Sequence, residues 1–142
     1  MSRNTARPLS PHLTIWRWGP HMLVSILHRA TGVAMALGGG IIFAWWLAAA
    51  ASGPKGYATF YAWVVDAQPG MAGQRLVNVA ALLVGIGFTW AFFQHMATGI
   101  RHFVLDVGAG YELRTNKTGA WMTMVFSVVA TALFWLFVRS KY

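Results

Sequence analysis

The sequence predicts an all-α membrane protein of three transmembrane helices, because it has few charges and three long uncharged segments. Charged residues make up 10% of the 142 residues and hydrophobic residues 57%, whereas soluble domains carry about 25% charged residues. So few charges cannot cover a soluble surface, and most of the surface should face lipid. The segments without Asp, Glu, Lys or Arg are residues 30–54, 76–100 and 118–138. Each is long enough to span, since a spanning helix needs about 20 residues.

Helix-breaking residues set the ends of the predicted helices. Pro20 is tolerated in a first helical turn, and Gly53-Pro54 is a stop signal. Gly108 and Gly110 end the second helix. The predicted helices cover about 21–52, about 75–106 and about 118–138. We expect them to form one membrane-anchor domain, residues 1–142, within a larger heteromeric helix bundle.

The segment between the first two helices, residues 55–74, is amphiphilic. It carries four aromatic residues, and Pro69, Gly70 and Gly73 interrupt it near its end. Aromatic side chains of this kind are enriched at the membrane–water interface. We expect a surface-lying loop with one short interfacial helix.

The net charge of +8 predicts membrane orientation rather than nucleic-acid binding, because the cations lie at the ends of apolar segments. The N-terminal segment and the second loop carry six Lys and Arg residues, against four on the opposite side; the six are Arg3, Arg7, Arg17, Arg101, Arg114 and Lys117. Cytoplasmic segments carry the excess of Lys and Arg. The N-terminus is therefore predicted in the cytoplasm and the C-terminus outside.

Two further features bound the class of protein. The polar start, residues 1–18, resembles neither a cleavable signal peptide nor a full mitochondrial presequence, which favours a bacterial inner membrane over a mitochondrial one. The sequence has no cysteine, so disulfides, iron–sulfur ligation and thiolate catalysis are excluded. Any redox cofactor must therefore be held by histidine.

A first group of polar residues enters the first helix. Ser25, Arg29 and Gly32 are spaced i, i+4 and i+7 and share one face, and His28 flanks it. If the helix starts near Pro20, Arg29 lies about 13 Å along the axis. A charge at that depth is costly and indicates a functional site, unless the side chain only snorkels to the interface.

A second group lies on one stripe of the second helix, at His95, Gly99, His102 and Asp106. His95 is about 16 Å along the axis from Asp106. Because the first helix enters from the cytoplasm and the second returns to it, His95 and Arg29 should reach similar depths. The sequence therefore predicts one site between the two helices.

Histidine in an apolar helix is a natural ligand of haem iron. His95 is the preferred axial ligand because it is deeper than His102, which adjoins Arg101; a histidine merely hydrogen-bonded inside the bundle is the alternative. The cations toward the cytoplasmic end would pair with haem propionates. A b-type haem takes two axial ligands, and the second is either His28 or a residue of another chain.

Three motifs resemble the cytochrome b anchor subunit of succinate dehydrogenase (respiratory complex II), the larger of its two anchor chains. They are Arg7-Pro8-Leu9-Ser10-Pro11-His12-Leu13, Ser25-x-x-His28-Arg29-x-Thr31-Gly32 and His95-x-x-x-Gly99-x-Arg101-His102-x-x-x-Asp106. Their order and the three-helix layout extend the resemblance over nearly the whole chain. Trp16 departs from the pattern, since many members have Tyr after the Ile, and this bears on packing near the quinone entrance.

The resemblance implies roles for the matched residues. His95 would be one axial ligand of haem b, and the smaller anchor chain would supply the other. His28, Arg29 and His102 would lie near the haem propionates. Ser25 and Arg29 would bind ubiquinone, with Ile26 and Trp18 as apolar walls.

The resemblance also implies partners and an activity. Electrons would reach the quinone from a flavoprotein subunit through an iron–sulfur subunit, while succinate is oxidised to fumarate, a step of the tricarboxylic acid cycle. The chain would not be catalytic alone. Three alternatives stay open: an anchor of a quinol:fumarate reductase, a cofactor-free structural anchor, and a transport subunit in which Arg29 and Asp106 form a gating pair.

Overall fold

A computed structural model describes residues 17–141. Its helices are α1 (Pro20–Ala51), α2 (Gly53–Val64), α3 (Ala72–Asp106) and α4 (Leu113–Lys141). Over the described range the chain contains no strand, and α1, α3 and α4 are each long and apolar enough to cross a membrane. The predicted fold class is confirmed. The predictions on Arg3, Arg7, the first motif and Trp16 lie outside the described residues.

Helix α1 is one continuous rod with a change of pitch in its middle. It consists of α-helix Pro20–Val33, π-helix Ala34–Gly39 and α-helix Gly40–Ala51. It begins after the extended residue Gly19 and ends at Ala51, one residue from the predicted bound at each end. Gly53 then adopts φ +80°, a conformation that glycine enters without steric cost.

Helix α2 shows that the segment expected as a surface-lying loop is mostly helical and packed. The turn at Gly53 reverses the chain, so that α2 runs back along α1 and α3. The ring of Phe60 lies edge-on against Trp45 with 4.9 Å between centroids, and the Asn78 Nδ2 donates to the carbonyl of Ala62 at 3.0 Å. The sequence could not show this reversal, because amphiphilicity does not reveal which face finds a partner.

The third spanning helix, α4, is longer than predicted. It starts at Leu113 rather than about residue 118 and continues to Lys141. The prediction counted only uncharged residues, whereas Arg114 and Lys117 lie in the first helical turns. Cations are tolerated there because their side chains reach the interface.

The three spanning helices α1, α3 and α4 each contact the other two. The residues buried where the three spanning helices cross are small or polar: Val24, Thr31, Ala91, Gln94, Thr98, Ala120, Thr123, Ser127 and Thr131. Small residues let membrane helices approach closely. Many of the large apolar side chains point outward, toward lipid or partner chains.

Candidate functional site

The site is built where α1 crosses α3, at Gly32 and His95. A Cβ atom on Gly32 would lie 2.9 Å from the Cε1 of His95, closer than such atoms normally approach. Glycine at this position therefore makes room for the imidazole ring. Gly99, one turn further along α3, lies beside His28, but a Cβ there would make only an ordinary contact of 3.8 Å with the His28 Cε1.

The His95 ring is oriented by hydrogen bonds to α1. Its Nδ1 lies 3.0 Å from the carbonyl oxygen of His28 and 3.4 Å from the Oγ1 of Thr31. The Thr31 hydroxyl lies 2.7 Å from the carbonyl of Leu27 and donates to it. Because a carbonyl only accepts, this geometry assigns the proton to Nδ1. In the neutral imidazole with this tautomer the lone pair lies on Nε2, which makes no hydrogen bond with any described residue.

The His28 ring stacks on the His95 ring. Their centroids are 3.9 Å apart and their planes differ by 10°, while His102 meets His28 edge-on at 5.0 Å. The three predicted histidines are thus brought together. With the two rings in direct contact, no space for an iron is left between them in this arrangement.

Arg29 and Ser25 lie together on the outer face of α1. The Nη2 of Arg29 donates to the Oγ of Ser25 at 3.3 Å, and the Arg29 side chain is exposed. Ile26 and Trp18 are also exposed, by 48% and 60%. These four residues present a polar pair flanked by apolar surface. Within the described range Arg29 makes no ion pair with Asp106, and so the gating pair has no support.

Arg101 is directed away from this site. Its Nη2 donates to the Oδ1 of Asn116 on α4. The guanidinium of Arg101 is thus bound to α4, on the side of α3 away from the histidines.

Sequence reasoning missed the polar contact between α3 and α4. Gln94 is fully buried, and its side chain bonds Thr98 on its own helix and Ser127 on α4. A signal was present, because Gln94 is an amide in the middle of an uncharged span. The partner could not be identified without knowing which faces of α3 and α4 meet.

Together, the fold and the site define a polytopic helical membrane protein with a cluster of histidines between its first two spanning helices. Residues 3–134 match the family model described as "Succinate dehydrogenase/Fumarate reductase transmembrane subunit". The chain belongs to this family, and the resemblance inferred from the three motifs is confirmed.

Individual relatives are named as succinate dehydrogenase cytochrome b subunits. The chain is 32% identical over 130 residues to the cytochrome b556 subunit of Rickettsia felis, covering 92% of this chain and 91% of that one. It is 32% identical over 127 residues to that of Paracoccus denitrificans, covering 89% and 88%. It is 28% identical over 133 residues to the mitochondrial cytochrome b560 subunit of Sus scrofa, covering 88% and 68%. These relatives support a succinate dehydrogenase cytochrome b membrane anchor.

Proposed function

We propose that this chain anchors a succinate:quinone oxidoreductase in the bacterial inner membrane, holds haem b through His95, and forms part of the ubiquinone-reduction site. A second, smaller anchor chain would share the haem. A flavoprotein and an iron–sulfur subunit would supply the electrons. The observation that carries the proposal is the bond from the His95 Nδ1 to the carbonyl of His28, in a chain of the cytochrome b family.

The residues around His95 fit a haem. An iron-ligating imidazole donates its other ring N–H to a carbonyl or carboxylate, which fixes the tautomer, and His95 makes this contact with α1. No group of three or more His, Cys, Asp or Glu side chains within residues 17–141 could hold a bare metal ion. A porphyrin supplies its own nitrogen ligands, so a single histidine from this chain suffices.

The second axial ligand would come from the partner anchor chain. The stacking of His28 directly on His95 supports a ligand from another chain over His28. His28, Arg29 and His102 would instead lie toward the propionates, where neutral or positive donors favour carboxylates. When bound, the haem supplies a one-electron carrier.

Quinone would bind at the exposed pair on α1. The Ser25 hydroxyl can donate to a quinone carbonyl, and the Arg29 guanidinium can stabilise negative charge on the oxygen as it is reduced. Ile26 and Trp18 would form the apolar walls. Reduction adds two electrons and two protons to give the quinol.

The haem assignment predicts that His95→Ala abolishes the b-type haem band. A reduced-minus-oxidised spectrum of the purified complex tests it. His21→Ala is the matched control, because His21 lies at the start of α1 and is not part of the histidine stack. An unchanged haem band in His95→Ala would show that His95 is not a haem ligand.

The quinone assignment predicts that Arg29→Ala slows quinone reduction by about tenfold to a hundredfold, the cost of a lost charged hydrogen bond. Ser25→Ala should slow it by up to about tenfold. Succinate oxidation by an artificial dye should be spared in both. Arg75→Ala, an exposed cation on the other membrane side, is the control. Equal loss of both activities would show that the two residues are only structural.

The opposite direction of electron flow is the alternative, since the family description names fumarate reductase as well. The same anchor would then oxidise quinol. Comparing succinate oxidation with fumarate reduction by the purified complex, using ubiquinone and ubiquinol, distinguishes the two.

A further inference from the structure

A buried polar contact joins α3 to α4 one residue away from His95. Gln94 is the largest fully buried side chain of the described residues, and Thr98 and Ser127 are also completely buried. A polar side chain in the bilayer interior is costly unless its hydrogen bonds are made inside the protein. These three side chains therefore need hydrogen-bond partners inside the protein.

Their hydrogen bonds connect the two helices. The Oγ of Ser127 donates to the Oε1 of Gln94 at 2.8 Å and also lies 2.8 Å from the carbonyl of Met124. The Nε2 of Gln94 donates to the Oγ1 of Thr98 at 2.9 Å, and that hydroxyl donates to the Gln94 carbonyl at 2.7 Å. Of these four hydrogen bonds, the one between Gln94 and Ser127 connects α3 to α4.

A second bond between the helices lies two turns along the same stripe of α3. Arg101, seven residues after Gln94, donates to Asn116 of α4. Two such bonds at different heights fix both the rotation of α3 about its axis and its register along α4.

His95 follows Gln94 directly, so its side chain leaves the helix about 100° further round, toward α1. We propose that Gln94 is a positioning residue for His95. Its bond to Ser127 sets the rotation of α3, and thereby the direction in which the His95 Nε2 points. Helix α3 is held on one side by Ser127 and on the other by the carbonyl of His28. This inference rests on the proposed function, because it concerns the alignment of the haem ligand.

The test uses the whole complex with Gln94→Met, Ser127→Ala and the double variant. Methionine keeps the length of glutamine but makes no comparable hydrogen bond. The readout is the electron paramagnetic resonance spectrum of the oxidised low-spin haem, which reports ligand orientation. Gln94→Met should shift the largest g value, and Ser127→Ala should shift it in the same direction. The double variant should match Gln94→Met alone, since both changes remove one bond.

Thr131→Ala is the matched control. Thr131 is a buried hydroxyl on the same face of α4, but its bond, 2.7 Å to the carbonyl of Ser127, stays within that helix. Its spectrum should equal that of the parent. An equal shift in Thr131→Ala would overturn the inference, because any loosening of α4 would then suffice.

If Gln94→Met and Ser127→Ala retain haem and give the same spectrum as the parent complex, this inference is overturned, while the proposed function stands. If the Gln94→Met complex does not assemble, Ser127→Ala decides, because it removes only the partner of the bond. If the parent complex has no haem band that depends on His95, the proposed function fails and this inference fails with it.

Discussion

The position of the His95 imidazole depends on the lack of a side chain at Gly32 as much as on the hydrogen bonds of the ring. Gly32 leaves the space that the ring occupies, and the carbonyl of His28 orients the ring within that space. The two conditions are coupled, because a ring displaced by a new side chain would also lose its bond to the carbonyl.

We therefore expect Gly32→Ala to destabilise the complex by about 1–3 kcal/mol, the usual cost of overpacking, and to lower its haem content. Thermal denaturation and the haem-to-protein ratio measure the two effects. Gly40→Ala is the matched control, since a Cβ there meets nothing within 4 Å and alanine is the better helix former. Equal haem content in the two variants would contradict the steric argument.

The sequence predicts which residues belong to the site better than it predicts how they contact one another. The stripes containing Ser25, Arg29 and His95 could be found because ionisable residues stand out in uncharged spans. The stacking of His28 on His95 could not be predicted, because it depends on the rotation of two helices, which only their packing determines. The hydrogen bond of the His95 Nδ1 could not be predicted either, because its acceptor is a backbone carbonyl and every residue has one.

At the scale of the helices, the reversal between α1 and α2 depends on one turn. Gly53 holds φ +80° between Ser52 and the first turn of α2. Helix α2 is then fixed against α3 by the bond from Asn78 to the carbonyl of Ala62.

Gly53→Ala should strain this turn and destabilise the complex by about 1–2 kcal/mol, the cost of a left-handed conformation in a residue with a Cβ. The melting temperature should fall, and residues of α2 should exchange amide hydrogens faster. The same substitution at Gly87, which lies inside α3 with open space around it, should leave both unchanged or improved. A parental melting temperature in Gly53→Ala would show that the turn carries no strain.

The ends of the helices show what charge counting can and cannot predict. Charge counting alone would begin α1 at residue 30, and the bounds came within a residue only because Pro20 and Gly53-Pro54 mark the two ends. It placed the start of α4 five residues late, since Arg114 and Lys117 were read as loop although a helix can begin among them.

For the whole molecule, three spans place the termini on opposite sides of the membrane, and the distribution of Lys and Arg predicts the orientation. The chain has no cysteine, so single cysteines can report topology. We expect Ser140→Cys to react with a membrane-impermeant maleimide in intact spheroplasts. Thr115→Cys should react only after lysis. The reverse pattern would place the N-terminus outside.

The three-span architecture followed from composition alone. The proposed haem site, by contrast, would need another chain, because His28 stacks on His95 and no described residue bonds the His95 Nε2. The large apolar side chains that point outward from the helices are consistent with such a neighbour, and they are also what lipid requires.

The π-helical stretch Ala34–Gly39 affects how this chain is compared with others. One such turn accommodates an additional residue without breaking the helix. The stripe that begins at Ser25, Arg29 and Gly32 therefore cannot be extended by simple periodicity into the second half of α1. In an alignment with a relative whose first helix is regular throughout, a one-residue gap inside the membrane span would be physically correct.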